Sequence, residues 1–143
     1  MPVNTIEFAK FEGASRKTGS HLDSLAPQVG RVYAISITRD GCPACARQKP
    51  RVDKLAEELA EEHGRKVIFT GIHVRYSTGD DAESLRSKDM FGHYFYPTNL
   101  ILLRTHDRGV IEYYRNTSPN ISELRKNIKT ALKIAAMFEK EQK

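Results

Sequence analysis

Both cysteines of this chain lie in one six-residue stretch, running from Asp40 through Gly41, Cys42, Pro43 and Ala44 to Cys45. The run before them, Arg31 to Thr38, carries Val32, Tyr33, Ala34, Ile35 and Ile37, apolar residues on both faces of an extended chain. That pattern predicts a central strand covered by helices on either side. After the pair, Val52, Leu55, Ala56 and Leu59 recur at i, i+3, i+4 and i+7, the spacing of one helix face. Two thiols two residues apart therefore stand where a buried strand hands over to a helix.

The rest of the chain alternates in the same way. Ile6, Phe8 and Phe11 suggest a short first strand, and Gly13 to Gly19 reads as a loop. Ser20 is placed to cap a short helix from His21 to Gln28, which Gly30 ends. The helix after Cys42 is expected to run to about Glu62, with Pro50 inside it as a kink and Gly64 closing it. Lys66 to Val74 is a second apolar strand. Ser77 to Asp81 reads as a loop whose Asp80 or Asp81 caps a helix from Ala82 to Phe91, broken by Gly92. Strand Asn99 to Thr105, a turn from His106 to Gly109 and a more exposed return strand, Val110 to Arg115, form a hairpin. Ser118 with Pro119, or Asn120 with Glu123, then opens a helix. Its stripe of Ile121, Leu124, Ile128, Ala131, Leu132, Ala135 and Phe138 is a core-facing one. Alternating strands and helices imply parallel pairing, and the hairpin adds antiparallel strands. The 143 residues suit a single domain spanning 1–143, with 1–19 as a poorly determined extension or first strand.

Composition narrows the class. No apolar run is long enough to span a bilayer. The start of the chain lacks a basic segment followed by an apolar core, so the expected place is the cytoplasm. There, two cysteines are expected to be catalytic or metal-binding rather than a structural staple. The net charge of +5 is concentrated from Ile121 onward, where six Lys or Arg face three Glu. Those lysines have no interleaved aromatics and read as a solvated face, so neither nucleic acid nor membrane is an expected partner.

With these features in place the sequence resembles the thioredoxin-like family, which includes thioredoxins, glutaredoxins and protein disulfide isomerase domains. The match rests on Cys42 and Cys45 at the strand-to-helix junction, on Pro50 five residues after the second cysteine, and on Tyr96-Pro97-Thr98 opening a strand. It covers about Ser20 to the C-terminus. The resemblance implies an α/β thioredoxin fold, a central mixed β-sheet of four to five strands flanked by helices on both faces. The chain departs from the family at five places, one being the end of the last strand, where Tyr114-Arg115-Asn116-Thr117 stands in place of the glycine the family often has. Gly41 stands where a tryptophan usually precedes the first cysteine. Pro43-Ala44 replaces Gly-Pro. Ser36 takes the position of the buried acid. The segment from His73 to Phe95 is longer than in minimal thioredoxins.

The chemistry follows from the placement of the thiols. Cys42, at or near the helix N-cap with Pro43 in the first turn, is favoured as the thiolate nucleophile. Arg39 and Arg47 add positive potential and Asp40 opposes it. Cys45, nearly one turn further in, is expected to be less exposed and to resolve the mixed disulfide. Pro97, read locally, is an ordinary proline at the start of a strand. The resemblance instead implies a cis peptide after Tyr96, packed beside the cysteines and leaving the Tyr96 backbone free for an extended substrate. Gly41, Pro43, Tyr96 and Pro97 are thus the candidate substrate-binding residues. No general base is evident. Ser36 cannot serve, and Asp40, Asp53 or a water are open alternatives. The five histidines are scattered and read as surface or core residues. The implied function is a thiol–disulfide oxidoreductase with no cofactor and no metal, whose partners are disulfide-containing proteins and an electron donor. Two alternatives stand beside it. One is a metal half-site completed by histidines or a second copy. The other is a binding module on the same scaffold, using the basic final helix, Tyr113, Tyr114 and the 75–95 segment.

Overall fold

The structure, a computed structural model, describes residues 3–18, 21–76, 82–117 and 120–142. The expected caps at Ser20, Asp80, Asp81 and Ser118-Pro119 lie outside those residues. Strand β1 (Val3–Glu7) is followed by α1 (Phe8–Thr18) and α2 (His21–Leu25). Then come β2 (Val32–Arg39), α3 (Pro43–His63), β3 (Val67–Val74), α4 (Ala82–Phe91), β4 (Thr98–Arg104), β5 (Val110–Asn116) and α5 (Ile121–Gln142). The sheet order is β1-β3-β2-β4-β5. β3 lies parallel to both β1 and β2, while β4 is antiparallel to β2 and β5. This is the expected mixed sheet, with all five strands present.

Period-two alternation sorts the strand residues into two cores. Val32 and Ala34 of β2, Val67 and Phe69 of β3, and Ile101 and Leu103 of β4 face α3 and α5. Tyr33, Ile35, Ile37, Ile72, Val74, Leu100 and Leu102 face the other way, against Phe8 and Phe11 of α1, Leu25 of α2 and Phe91 of α4. β2 and β4 are buried on both faces, as their continuous apolar runs predict. Helix α5 packs Leu124, Ile128, Ala131 and Ala135 on the sheet, and the Asn120 side chain accepts the Glu123 N–H at its start. Among the described residues no helix is long and apolar enough to cross a membrane.

The N-terminal region differs from its expectation. The stretch read as a loop from Gly13 belongs to α1, and Phe8 and Phe11 are helical core residues, 0% and 4% exposed, rather than strand residues. Tertiary burial of these two rings overrides the poor helix propensity of Gly13 and Ser15. Helix α2 stops at Leu25, short of Gln28. Pro27 restricts Ala26 and cannot continue the helix, and Arg104 instead bonds the Ala26 carbonyl and the Asp23 carboxylate. Helix α3 runs through Pro50 to His63, and Gly64 closes it at φ +60.

Truncating a side chain at the sheet–helix interface removes its burial energy and leaves a cavity. Ile101→Ala, at 0% exposure, is therefore expected to cost about 2–5 kcal/mol, whereas Leu85→Ala, at 56% exposure on α4, should change stability by less than about 0.5 kcal/mol. Urea denaturation of the two variants checks both values.

Candidate active site at the β2–α3 junction

The site begins with the end of β2. Its central position delivers Asp40, Gly41 and Cys42 to one edge of the sheet. Gly41 makes the turn at φ +62, a left-handed conformation that favours glycine. Cys42 is the N-cap of α3 and Pro43 its first residue, where the missing N–H has no helical partner anyway. Cys42 and Cys45 are joined as a disulfide with their Cα atoms 5.2 Å apart. The Cys45 backbone N–H points at Cys42 Sγ, 3.1 Å away. In the reduced protein that N–H and the positive helix end would favour a thiolate on Cys42. Both cysteines are nearly buried, Cys42 at 9% and Cys45 at 7% exposure, so the expected difference in depth is small.

The Tyr96-Pro97 peptide is cis and lies against the cysteines, with Tyr96 O 3.7 Å from Cys42 Sγ. Helix α4 holds this loop from below. Tyr96 Oη pairs with Ser84 Oγ at 2.9 Å, and the ring meets the edge of His93 at 4.9 Å. His93 in turn pairs Nε2 with Ser87 Oγ at 2.9 Å. The longer segment before Pro97 thus supplies a polar underside for the loop, together with Tyr94 and Phe95, which stand 80% and 64% exposed beside it. Arg39 bonds the carbonyls of Asp40 and Gly41 and sits 4.5 Å over the Tyr76 ring. Arg47 is exposed on α3. Tyr113 and Tyr114, assigned to a docking surface from sequence, pack partly buried against the core instead.

A cleft of about 670 Å³ opens beside the cysteines, between α3 and the sheet face of β1, β3 and β2. Ser36 donates to Asn99 Oδ1 at 2.7 Å. Asn99 and Gln48 exchange amide bonds at 3.1 and 2.8 Å, and Asn99 also donates to Asn116 Oδ1. The four side chains form a neutral network with no carboxylate in it. Asp53, one of the expected alternatives, is paired with Lys49 at 2.8 Å.

Asp40, the other, is engaged differently. Its Oδ1 meets His73 Nε2 at 2.6 Å, and its Oδ2 accepts the Tyr76 N–H. These bonds, the His73 one first, hold its carboxyl below the usual carboxylate range. Asp40 is then an acceptor only, so His73 carries its proton on Nε2. His73 Nδ1 lies 3.2 Å from Thr38 Oγ1, whose hydroxyl donates to it when the ring is neutral. His73 was one of five scattered histidines in the sequence. The signal that marks it is strand parity, since it shares a face with Phe69 and Gly71 of β3 and lies beside Thr38 of β2 in register. Among the described residues there is no cluster of three or more His, Cys, Asp or Glu side chains able to hold a metal ion.

No protein-family model matches the chain, and no curated protein matches it. Solved structures do. The thioredoxin of Trichomonas vaginalis superposes with a TM-score of 0.60 over 91% of this chain and 97% of that one, at 14% identity. A thioredoxin from Nicotiana alata gives a TM-score of 0.59 over 91% and 94%, at 21% identity. Thioredoxin f2, solved in complex with ferredoxin:thioredoxin reductase, gives 0.54 over 91% and 94%, at 16% identity. The chain has the thioredoxin fold.

Burial pushes the His93 imidazole down to about 4 from its ordinary 6.5. Unfolding therefore takes up a proton at any pH between these values. His93 favours the folded state fully above about pH 6.5, and this contribution is lost as pH falls toward 4. Between pH 7 and pH 5 the chain should lose about 2 kcal/mol more stability than His93→Gln does, as read by urea denaturation at the two pH values.

Proposed function

We propose that this protein is a thiol–disulfide oxidoreductase that reduces or exchanges disulfides in protein substrates through Cys42 and Cys45. The observation that carries the reading is the Cys42–Cys45 bridge at the N-cap of α3, with the Cys45 N–H on Cys42 Sγ. Reduced Cys42 attacks a substrate disulfide, forming a mixed disulfide and releasing one substrate thiolate. Cys45 attacks Cys42 Sγ, closing the internal disulfide and releasing the second. Two electrons pass from the protein to the substrate, and a donor restores the dithiol. Gly41 and Pro43 shape the approach to Cys42, and the Tyr96 carbonyl beside Pro97 is available to pair with an extended substrate backbone. The structural neighbour solved with ferredoxin:thioredoxin reductase supports a protein electron donor as the kind of partner to seek. A cytoplasmic setting, where thiols are kept reduced, suits a reductase.

A binding module using the same rim is the second reading, favoured by the exposure of Tyr94 and Phe95 next to the disulfide. The two readings separate on the cysteines. With insulin as the disulfide substrate and dithiothreitol as the electron source, the chain should accelerate reduction. Cys42→Ser should return the rate to that of dithiothreitol alone. Cys45→Ser should accumulate a mixed disulfide visible by mass and released by dithiothreitol. A Cys42→Ser, Cys45→Ser double variant that keeps the full rate would refute the catalytic reading.

A further inference from the structure

A resolving thiol must lose its proton before it attacks, and the usual buried acid is absent here. The cleft beside Cys45 is lined by few groups able to take that proton. Ser36, Asn99 and Gln48 are neutral and bonded to one another. Asp53 is held by Lys49. What remains is the chain of Thr38 Oγ1, His73 and Asp40, with Thr38, His73, Asp40 and Cys45 all lining the same 670 Å³ space. Histidine is the side chain suited to exchanging protons near neutral pH. A cleft of this size, with the Thr38 hydroxyl and the His73 ring among its lining groups, has room for bridging solvent.

We propose that Thr38, His73 and Asp40 form the proton relay that serves Cys45 in the resolving step. The proposal rests on the oxidoreductase reading. The Cys45 proton passes through solvent in the cleft to the Thr38 hydroxyl, which gives its own proton to His73 Nδ1. Asp40 stabilises the imidazolium that forms, and the other ring proton stays on Nε2. Cys45 thiolate then attacks Cys42 Sγ. The Cys42–Cys45 bond forms as the bond from Cys42 to the substrate sulfur breaks, and the substrate leaves as a thiolate. His73 returns its proton to that thiolate or to bulk water. The charged groups around His73 belong to every neighbouring element. Glu7 of β1 lies opposite it in register, Arg39 ends β2 with Asp40 directly after it, Lys49 and Asp53 of α3 line the same cleft, and Arg75 follows the end of β3. Asp40 and Thr38 are the two that bond the ring.

The test uses the reduced full chain and 5,5′-dithiobis(2-nitrobenzoate) in stopped flow. Attack by Cys42 releases one equivalent of dye, and resolution by Cys45 releases a second. The readout is the ratio of the second rate to the first, followed across pH. His73→Gln and Thr38→Val should each lower the ratio on the order of tenfold or more and remove an inflection from its pH profile. Thr38→Ser, which keeps the hydroxyl, should preserve both. Thr38→Val leaves the Asp40–His73 bridge intact, so it carries the test even where His73→Gln does not fold. A ratio unchanged in both variants, with two equivalents released, overturns the relay and leaves the oxidoreductase reading standing. Equal slowing of both phases also overturns it, because the residues would then act on Cys42. A wild-type chain that releases only one equivalent overturns the oxidoreductase reading, and the relay with it.

Discussion

The backbone N–H of Cys45 lies 3.1 Å from Cys42 Sγ, and this contact exists because α3 begins at Cys42. A helix can present its free N–H groups to a side chain only if that side chain is held at its first turn. Here β2 does the holding. It pairs with β3 on one side and β4 on the other, and both its faces are buried. Its C-terminal end stays paired to β3 through Arg39 and so leads directly into Asp40, Gly41 and the helix start. A left-handed glycine at 41 and a proline at 43 then turn the chain into the helix without spending a hydrogen bond. The placement of the thiols follows from the strand order.

The same geometry explains what surrounds the thiols. Alternation along β2 sends Ser36 and Thr38 to the α3 side of the sheet, and parallel register sets Gly71 and His73 beside them. A Cβ at Gly71 would come 3.0 Å from Thr5 Oγ1, so a larger residue there requires the Thr5 side chain to give way. A neutral amide network at Asn99 and Gln48 fills the inner end of this face, and ionisable groups gather at its outer end around His73 and Asp40. On the opposite side α4 fixes the Pro97 loop through Ser84, Ser87 and His93. The paired thiols, the cleft and the Pro97 loop thus come from separate connections that converge on one end of the sheet. That is the usual place for ligand and active sites in open α/β sheets.

Much of this was legible in the sequence, where local pattern and tertiary burial agree. β2, β4 and α5 were readable because their apolar periods match the faces they bury, whereas α4, which buries mostly polar Glu83, Ser84 and Ser87, was marked by the Gly92 that ends it. The cis peptide at Pro97 came from a resemblance, since its local sequence reads equally as an ordinary strand start. What escaped depended on long-range pairing. β1 is a short edge strand of mixed polarity, Val3 to Glu7, whose partner lies some sixty residues away on β3. α1 contains Gly13 and Ser15, both weak helix formers, yet Phe8 and Phe11 fix it against the sheet. His73 and Asn99 looked unremarkable for the same reason. Their neighbours, Asp40 and Gln48, are set by register and not by spacing along the chain.

The most direct measurement is the reduction potential of the Cys42–Cys45 pair. The protein would be equilibrated in defined thiol–disulfide buffers, its free thiols trapped by alkylation and counted by mass. The account predicts one two-electron transition in which both thiols appear together, with a midpoint between about −270 and −120 mV, the span of redox-active pairs of this kind. Two thiols that titrate independently, or no disulfide in any buffer, would contradict it.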